Sequence, residues 1–320
     1  MPGSSSLGFV NNGSGNPDVQ MSVPQLNASI RPPKRSTDAV TDVVSATGAT
    51  QRLPRRRILI WNIVMCLLHA GLTAATLVIG NRDLSAPLYK TVLKFVENTG
   101  STSWKLVPYY ERSGGLPLTW LVALFFFLSS LFHFLNVTFL KEFYFSQLAN
   151  CYTPTRWVEY FLSAPIMIVV VAYSLGIRNR SMIIAIAVLI AITMPFGYWV
   201  EVGARPRSPD CWNKPLCDRL MPWFLGHIPQ VAAWLIIIMQ FYDGTETSER
   251  TPTFVHAILW GELVLFSSFA AASLVSQIWP PKFFYRGELI FQVLSLVSKG
   301  LLGALMLAFV LMLSSFDEVY

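Results

Sequence analysis

The chain has 320 residues, of which 53 % are hydrophobic and only 13 % charged, and its mean hydropathy is +0.48. Soluble domains carry about 25 % charged residues, so the composition excludes a soluble enzyme and points to a multi-pass protein of the lipid bilayer. The net charge of +6 then belongs to loops facing a membrane surface, and no basic stripe interleaved with aromatics supports a nucleic-acid partner.

Residues 1–50 are rich in Ser, Gly, Asn and Pro and poor in large apolar side chains. They are predicted to be a disordered tail, taken to residue 54, without the apolar core of a signal peptide. Residues 55–315 read as one membrane domain and 316–320 as a short second tail. Apolar runs lie at about 57–80, 116–140, 155–177, 181–201, 223–242, 253–279 and 287–313. Each approaches the ~20 residues that cross ~30 Å of hydrocarbon, which predicts an all-α bundle of seven transmembrane helices. Pro54, Pro117, Pro154 and Pro252 stand at helix starts, whereas Pro165, Pro195 and Pro229 fall inside spans and predict kinks. The loop from Asn81 to Gly115 alternates weakly around Thr91–Phe95 and Trp104–Tyr110, which predicts a short β-hairpin that covers the bundle mouth or meets another subunit.

Lys and Arg favour the loops on the amino-terminal side, led by Arg55, Arg56 and Arg57 directly before the first span. The amino terminus is therefore expected in the cytoplasm and the carboxyl terminus outside. Cys66, Cys151, Cys211 and Cys217 have no metal-like spacing; Cys211 and Cys217 share a loop and pair only if it faces an oxidising compartment.

The informative residues are the polar ones inside the spans. Lys299 lies more than a helical turn from either end of the last apolar run, where a lysine costs roughly 2.5–3.5 kcal/mol on insertion scales. Its amine is either held by a carboxylate inside the bundle or condensed with an aldehyde cofactor, the chemistry that a desolvated lysine serves. Glu159, Glu201 and Glu262 are read as intramembrane acids, and all 4 histidines, His69, His133, His227 and His256, also fall in spans. Helical spacing places Ser129 with His133, Glu159 with Ser163, Ser295 with Lys299, and Asn62 with His69. Such stripes act as interhelical glue or as proton-transfer groups, and Glu159 in RWVEY is the first choice of anion for a protonated amine. His69, His133, Glu262, Glu201 and Asn62 are the candidates for proton transfer.

Seven spans with a lysine in the last resemble a rhodopsin. An ordinary microbial rhodopsin has an Asp four residues before the lysine, where LSLVSK has Ser295. The chain resembles the heliorhodopsins through Asn62 and His69 in the first span, SSLFH in the second and RWVEY in the third. ITMPFGYWVE, FLGHIP and LSLVSKGLL extend the likeness through the remaining spans, from about Arg57 to Leu313. The resemblance implies all-trans retinal on Lys299, Glu159 as its single counterion, and a polar cavity near His69 and His133. It also implies an inverted orientation and a homodimer. Ser129, Ser163 and Ser295 would surround the linkage, with Met167 and Trp234 as walls of the polyene pocket. Ala304 stands where the family often has Trp, which predicts an altered pocket.

The function expected is a light sensor with a slow photocycle and an unidentified signalling partner, and no enzymatic activity. A second reading is light-driven or light-gated proton transport, using Glu262 with His227 and His256. In a third, Lys299 and Glu159 form an unmodified ion pair in a carrier.

Overall fold

The computed structural model describes residues 41–44, 50–97, 104–204, 215–246, 251–278 and 283–314. Seven of its helices are long and apolar enough to cross a membrane. They are α1 (Arg55–Ile79), α2 (Leu118–Val137), α4 (Pro154–Ser174), α5 (Arg180–Ala204), α6 (Leu216–Thr245), α7 (Thr253–Ile278) and α8 (Phe284–Phe309). Proline flanks or opens several of them: Pro54, Pro117 and Pro215 at the caps of α1, α2 and α6, and Pro154 in the first turn of α4. There its missing N–H leaves no bond unmade. Pro165, Pro195, Pro222 and Pro229 lie inside helices that continue past them. The span expected to begin at 223 starts about two turns earlier, at Leu216, so Pro222 belongs to its interior.

α4 is the most enclosed span, and α1, α5, α6 and α7 present more of their surface outward. Its buried side includes Met167, Ile168, Val171 and Tyr173, which pack with Val122, Phe125 and Phe126 of α2 and Leu302 and Met306 of α8. A polar group on the inward face of α4 is therefore removed from both lipid and water.

The short helix α3 (Lys141–Ala149), which the hydropathy pattern does not announce, caps the end of the bundle where α1 starts. Tyr144, Phe145 and Leu148 bury against Leu53, Ile58 and Phe284, joining α3 to the starts of α1 and α8. Cys151 adopts φ 63° in the turn from α3 into α4. Two short strands, β1 (Thr41–Val44) and β2 (Thr50–Leu53), pair antiparallel within the stretch read as a featureless tail. Residues 1–40, 315–320 and Cys211 lie outside the described residues, and with them most of that tail and the question of the Cys211–Cys217 pair.

At the other end of the bundle, β3 (Ser85–Glu97) and β4 (Trp104–Pro117) form the hairpin, with a bulge between Pro87 and Tyr89. It is longer than expected. Its base is tied down by Asn81, whose N–H donates to Leu311 O at 2.6 Å and whose Nδ2 donates to Leu313 O at 2.9 Å. Thr119 Oγ1 donates to Asn81 O at 2.5 Å, and Tyr89 N–H to Arg178 O at 2.9 Å.

Candidate functional site

Lys299 reaches the middle of the bundle from α8, and its Nζ donates to Glu159 Oε1 at 2.9 Å, Ser129 Oγ at 2.5 Å and Ser295 Oγ at 3.0 Å. All the hydrogens of an ammonium are thereby used. Ser129 in turn donates to Glu159 Oε1 at 2.5 Å. Three helices converge here: Ser129 from α2, Glu159 from α4, and Ser295 with Lys299 one turn apart on α8. Lys299 and Glu159 are both buried, so Coulomb attraction between them is poorly screened, and neither charge is left alone at this depth.

Beside the amine lies a cavity between α4, α5, α6, α7 and α8. It is lined by Trp157, Tyr160, Met167, Met194, Phe196, Trp223, Phe266, Phe269 and Phe291, and by Ser163, Ser295 and Lys299 at its polar end. Glu159, Ser163 and Met167 follow one another at four-residue steps, so one stripe of α4 runs from the ion pair along the cavity wall. Gly197 belongs to this wall because a Cβ there would run into the Trp157 ring, and one at Gly226 would come within 2.8 Å of Phe196 Cβ. A largely aromatic slot ending at a single amine, with close approach secured by two glycines, fits an elongated apolar aldehyde.

Trp234 is not part of the lining; its ring meets Phe266 edge-on at 5.5 Å, one layer behind. Trp157 and Trp223 stand where that wall was expected. Ala304 is exposed on the outer side of α8, so the departure at this position lies outside the cavity and does not reshape it.

The His69 and His133 rings lie side by side, with centroids 5.8 Å apart. His133 Nδ1 bonds Asn62 Oδ1 at 2.9 Å, and both ring nitrogens of His69 lack a partner among the described residues. Glu262 is fully buried on α7 and accepts from Ser298 Oγ at 2.8 Å, while its other oxygen has no partner among the described residues. His227 lines the cavity and bonds Trp223 O at 2.6 Å. His256 meets the Phe241 ring.

A second cluster escaped the sequence reading. Arg156 is buried rather than interfacial, and its guanidinium bridges Glu201 on α5 and Glu288 on α8. Thr153 N–H donates to Glu201 Oε2 at 2.9 Å, and Thr153 Oγ1 and Tyr144 OH each donate to Glu288 at 3.2 Å. Burial and the adjacent Glu288 push the Tyr144 phenol well above its ordinary pKa, so it serves as a neutral donor. Glu201, read as a proton-transfer group, is thus engaged in a buried ion pair. Glu288 was overlooked as a fourth acid, although Glu288, Gln292, Ser295 and Lys299 form one helical stripe that the spacing could have revealed.

The sequence model of the heliorhodopsin family matches residues 58–311, well over half of the chain. Among solved structures, the transmembrane domain of the Salpingoeca rosetta rhodopsin phosphodiesterase is similar with a TM-score of 0.51 and 10 % identity. That match covers 79 % of this chain and 84 % of the other, and at such identity it shows the fold alone. No curated protein sequence matches. The family match spans every membrane helix, and the chain accordingly belongs to the heliorhodopsins, as a retinal-binding rhodopsin embedded in the membrane by seven helices.

Proposed function

We propose that the protein is a light sensor in which Lys299 Nζ carries all-trans retinal as a protonated Schiff base and Glu159 is its counterion. One observation supports this above the others: the only amine at the cavity's end among the described residues is 2.9 Å from a buried carboxylate. Condensation of the amine with an aldehyde would release water and leave one N–H where the free ammonium has three. With retinal bound, Glu159 would accept a hydrogen bond from the remaining N–H as its charged partner, Ser129 would stay bonded to Glu159, and Ser295 would lose its donor. Retinal, when bound, supplies light-driven isomerisation in the aromatic slot.

The chain's own part is to hold one positive nitrogen against one carboxylate and to respond when that balance changes. At an effective dielectric of about 20, a unit charge pair at ~4 Å is worth ~4 kcal/mol. This is close to the ~5.5 kcal/mol that inverts a two-state population from 1:99 to 99:1. The response is read by an unidentified signalling partner, from a homodimer whose amino terminus faces the cytoplasm, the orientation that the Arg55–Arg57 cluster favours.

A second reading, proton transport, is favoured by Glu262, a buried acid with no cation against it among the described residues. Two measurements separate the alternatives. Adding all-trans retinal to the purified apoprotein should give a visible band that Lys299→Ala abolishes and hydroxylamine bleaches; a band surviving in Lys299→Ala refutes the linkage. Voltage-clamped cells should show no steady photocurrent, and a current that Glu262→Gln removes would establish transport instead.

A further inference from the structure

Between the Lys299–Glu159 pair and the Arg156 cluster runs a line of buried polar side chains on α1, α2 and α8. Asn62 Nδ2 donates to Ile58 O at 2.9 Å, which turns Asn62 Oδ1 toward His133 and Gln292. His133 Nδ1 therefore carries the hydrogen in its 2.9 Å bond to that oxygen. Gln292 Nε2 faces the same oxygen at 3.5 Å, and on its other side faces Glu288 Oε1 at 3.3 Å and Tyr144 OH at 3.4 Å. Tyr144 OH donates onward to Glu288 Oε1.

The direction of these bonds matters more than their number. A proton handed along a chain requires each group to accept from one neighbour and release to the next. At Asn62 two donors converge on one acceptor, so the sense of the chain reverses. A neutral amide oxygen has no hydrogen of its own to pass on, and the Gln292 NH₂ accepts none. From His133 to Glu288 the line is continuous in contact but interrupted for protons. At its far end Glu288 is already held by Arg156, Thr153 and Tyr144.

We propose that Asn62 and Gln292 form a proton barrier that keeps the photoreaction proton in the Lys299 cavity and away from Glu288 and the end of the bundle where α1 starts. This rests on Lys299 and Glu159 acting as described above. The two amides thereby determine that the light signal leaves toward this end as a hydrogen-bond rearrangement and not as a moved proton. A carboxyl can both accept and release, and because each amide interrupts the path by itself, only Asn62→Asp combined with Gln292→Glu should complete it from His133 to Glu288.

Light-minus-dark infrared spectra of retinal-loaded protein in lipid nanodiscs test this. Wild-type protein should show no carboxylic C=O band that Glu288→Gln removes. The double variant Asn62→Asp/Gln292→Glu should gain a band that is lost on adding Glu288→Gln, whereas Asn62→Asp or Gln292→Glu alone should gain none. The proposal is overturned by a Glu288-dependent band in wild-type protein, whatever the variants do. It is equally overturned if the coloured double variant lacks the band. A colourless wild type would instead sink the assignment of Lys299, so the two failures are distinguishable.

Discussion

Ser129 donates to Glu159 Oε1 at 2.5 Å while accepting from Lys299 Nζ at 2.5 Å, so one hydroxyl is shared by both partners of the buried ion pair. A hydrogen bond to a charged group is worth about 1.5–3 kcal/mol. Ser129→Ala concentrates the negative charge of Glu159 toward the Lys299 nitrogen. The visible band should shift to shorter wavelength, measured on purified pigment, and an unchanged band would separate Ser129 from the chromophore.

Glu159→Gln removes the one carboxylate within bonding distance of Lys299 among the described residues. Breaking a buried pair from one side costs about 3–5 kcal/mol, because the remaining charge stays buried. The expected result is a red-shifted band, or loss of the protonated form at neutral pH, together with a lower melting temperature. Spectral titration of the variant beside wild type checks both.

The Arg156 cluster should matter for stability more than for colour. Arg156→Gln leaves Glu201 and Glu288 facing each other without a cation, at a cost of about 3–5 kcal/mol. Adding Glu201→Gln and Glu288→Gln to it should recover part of the loss, since the unpaired charges go with the carboxylates. Thermal bleaching of the pigment measures the series; a triple variant no more stable than Arg156→Gln argues against charge as the cause.

Gly197→Ala drives a methyl group into the Trp157 ring at the cavity wall. Overpacking typically costs about 1–3 kcal/mol, and here it narrows the slot as well. Pigment formation from apoprotein and retinal should slow severalfold, with Gly71→Ala, which meets nothing within 4 Å, as the control.

The seven spans were legible in the chain because transfer into hydrocarbon depends on local apolar length, a property each segment carries alone. The stripe from Ser295 to Lys299 was legible for a similar reason, since helical spacing is local. Glu159 was the first choice of anion from its motif and the family resemblance, but helical spacing alone did not select it: Glu159, Glu201, Glu262 and Glu288 all lie in spans, and hydropathy does not report how a helix is rotated. Only packing decides that, because lipid tails are as apolar as leucine and give no preference for an inward face. The tertiary structure turned Glu159 to Lys299, gave Glu201 and Glu288 to Arg156, and left Glu262 with Ser298. It also set Trp157 against the cavity and Trp234 behind it, a choice between two aromatic rings of equal hydrophobicity that depends on which neighbours they reach.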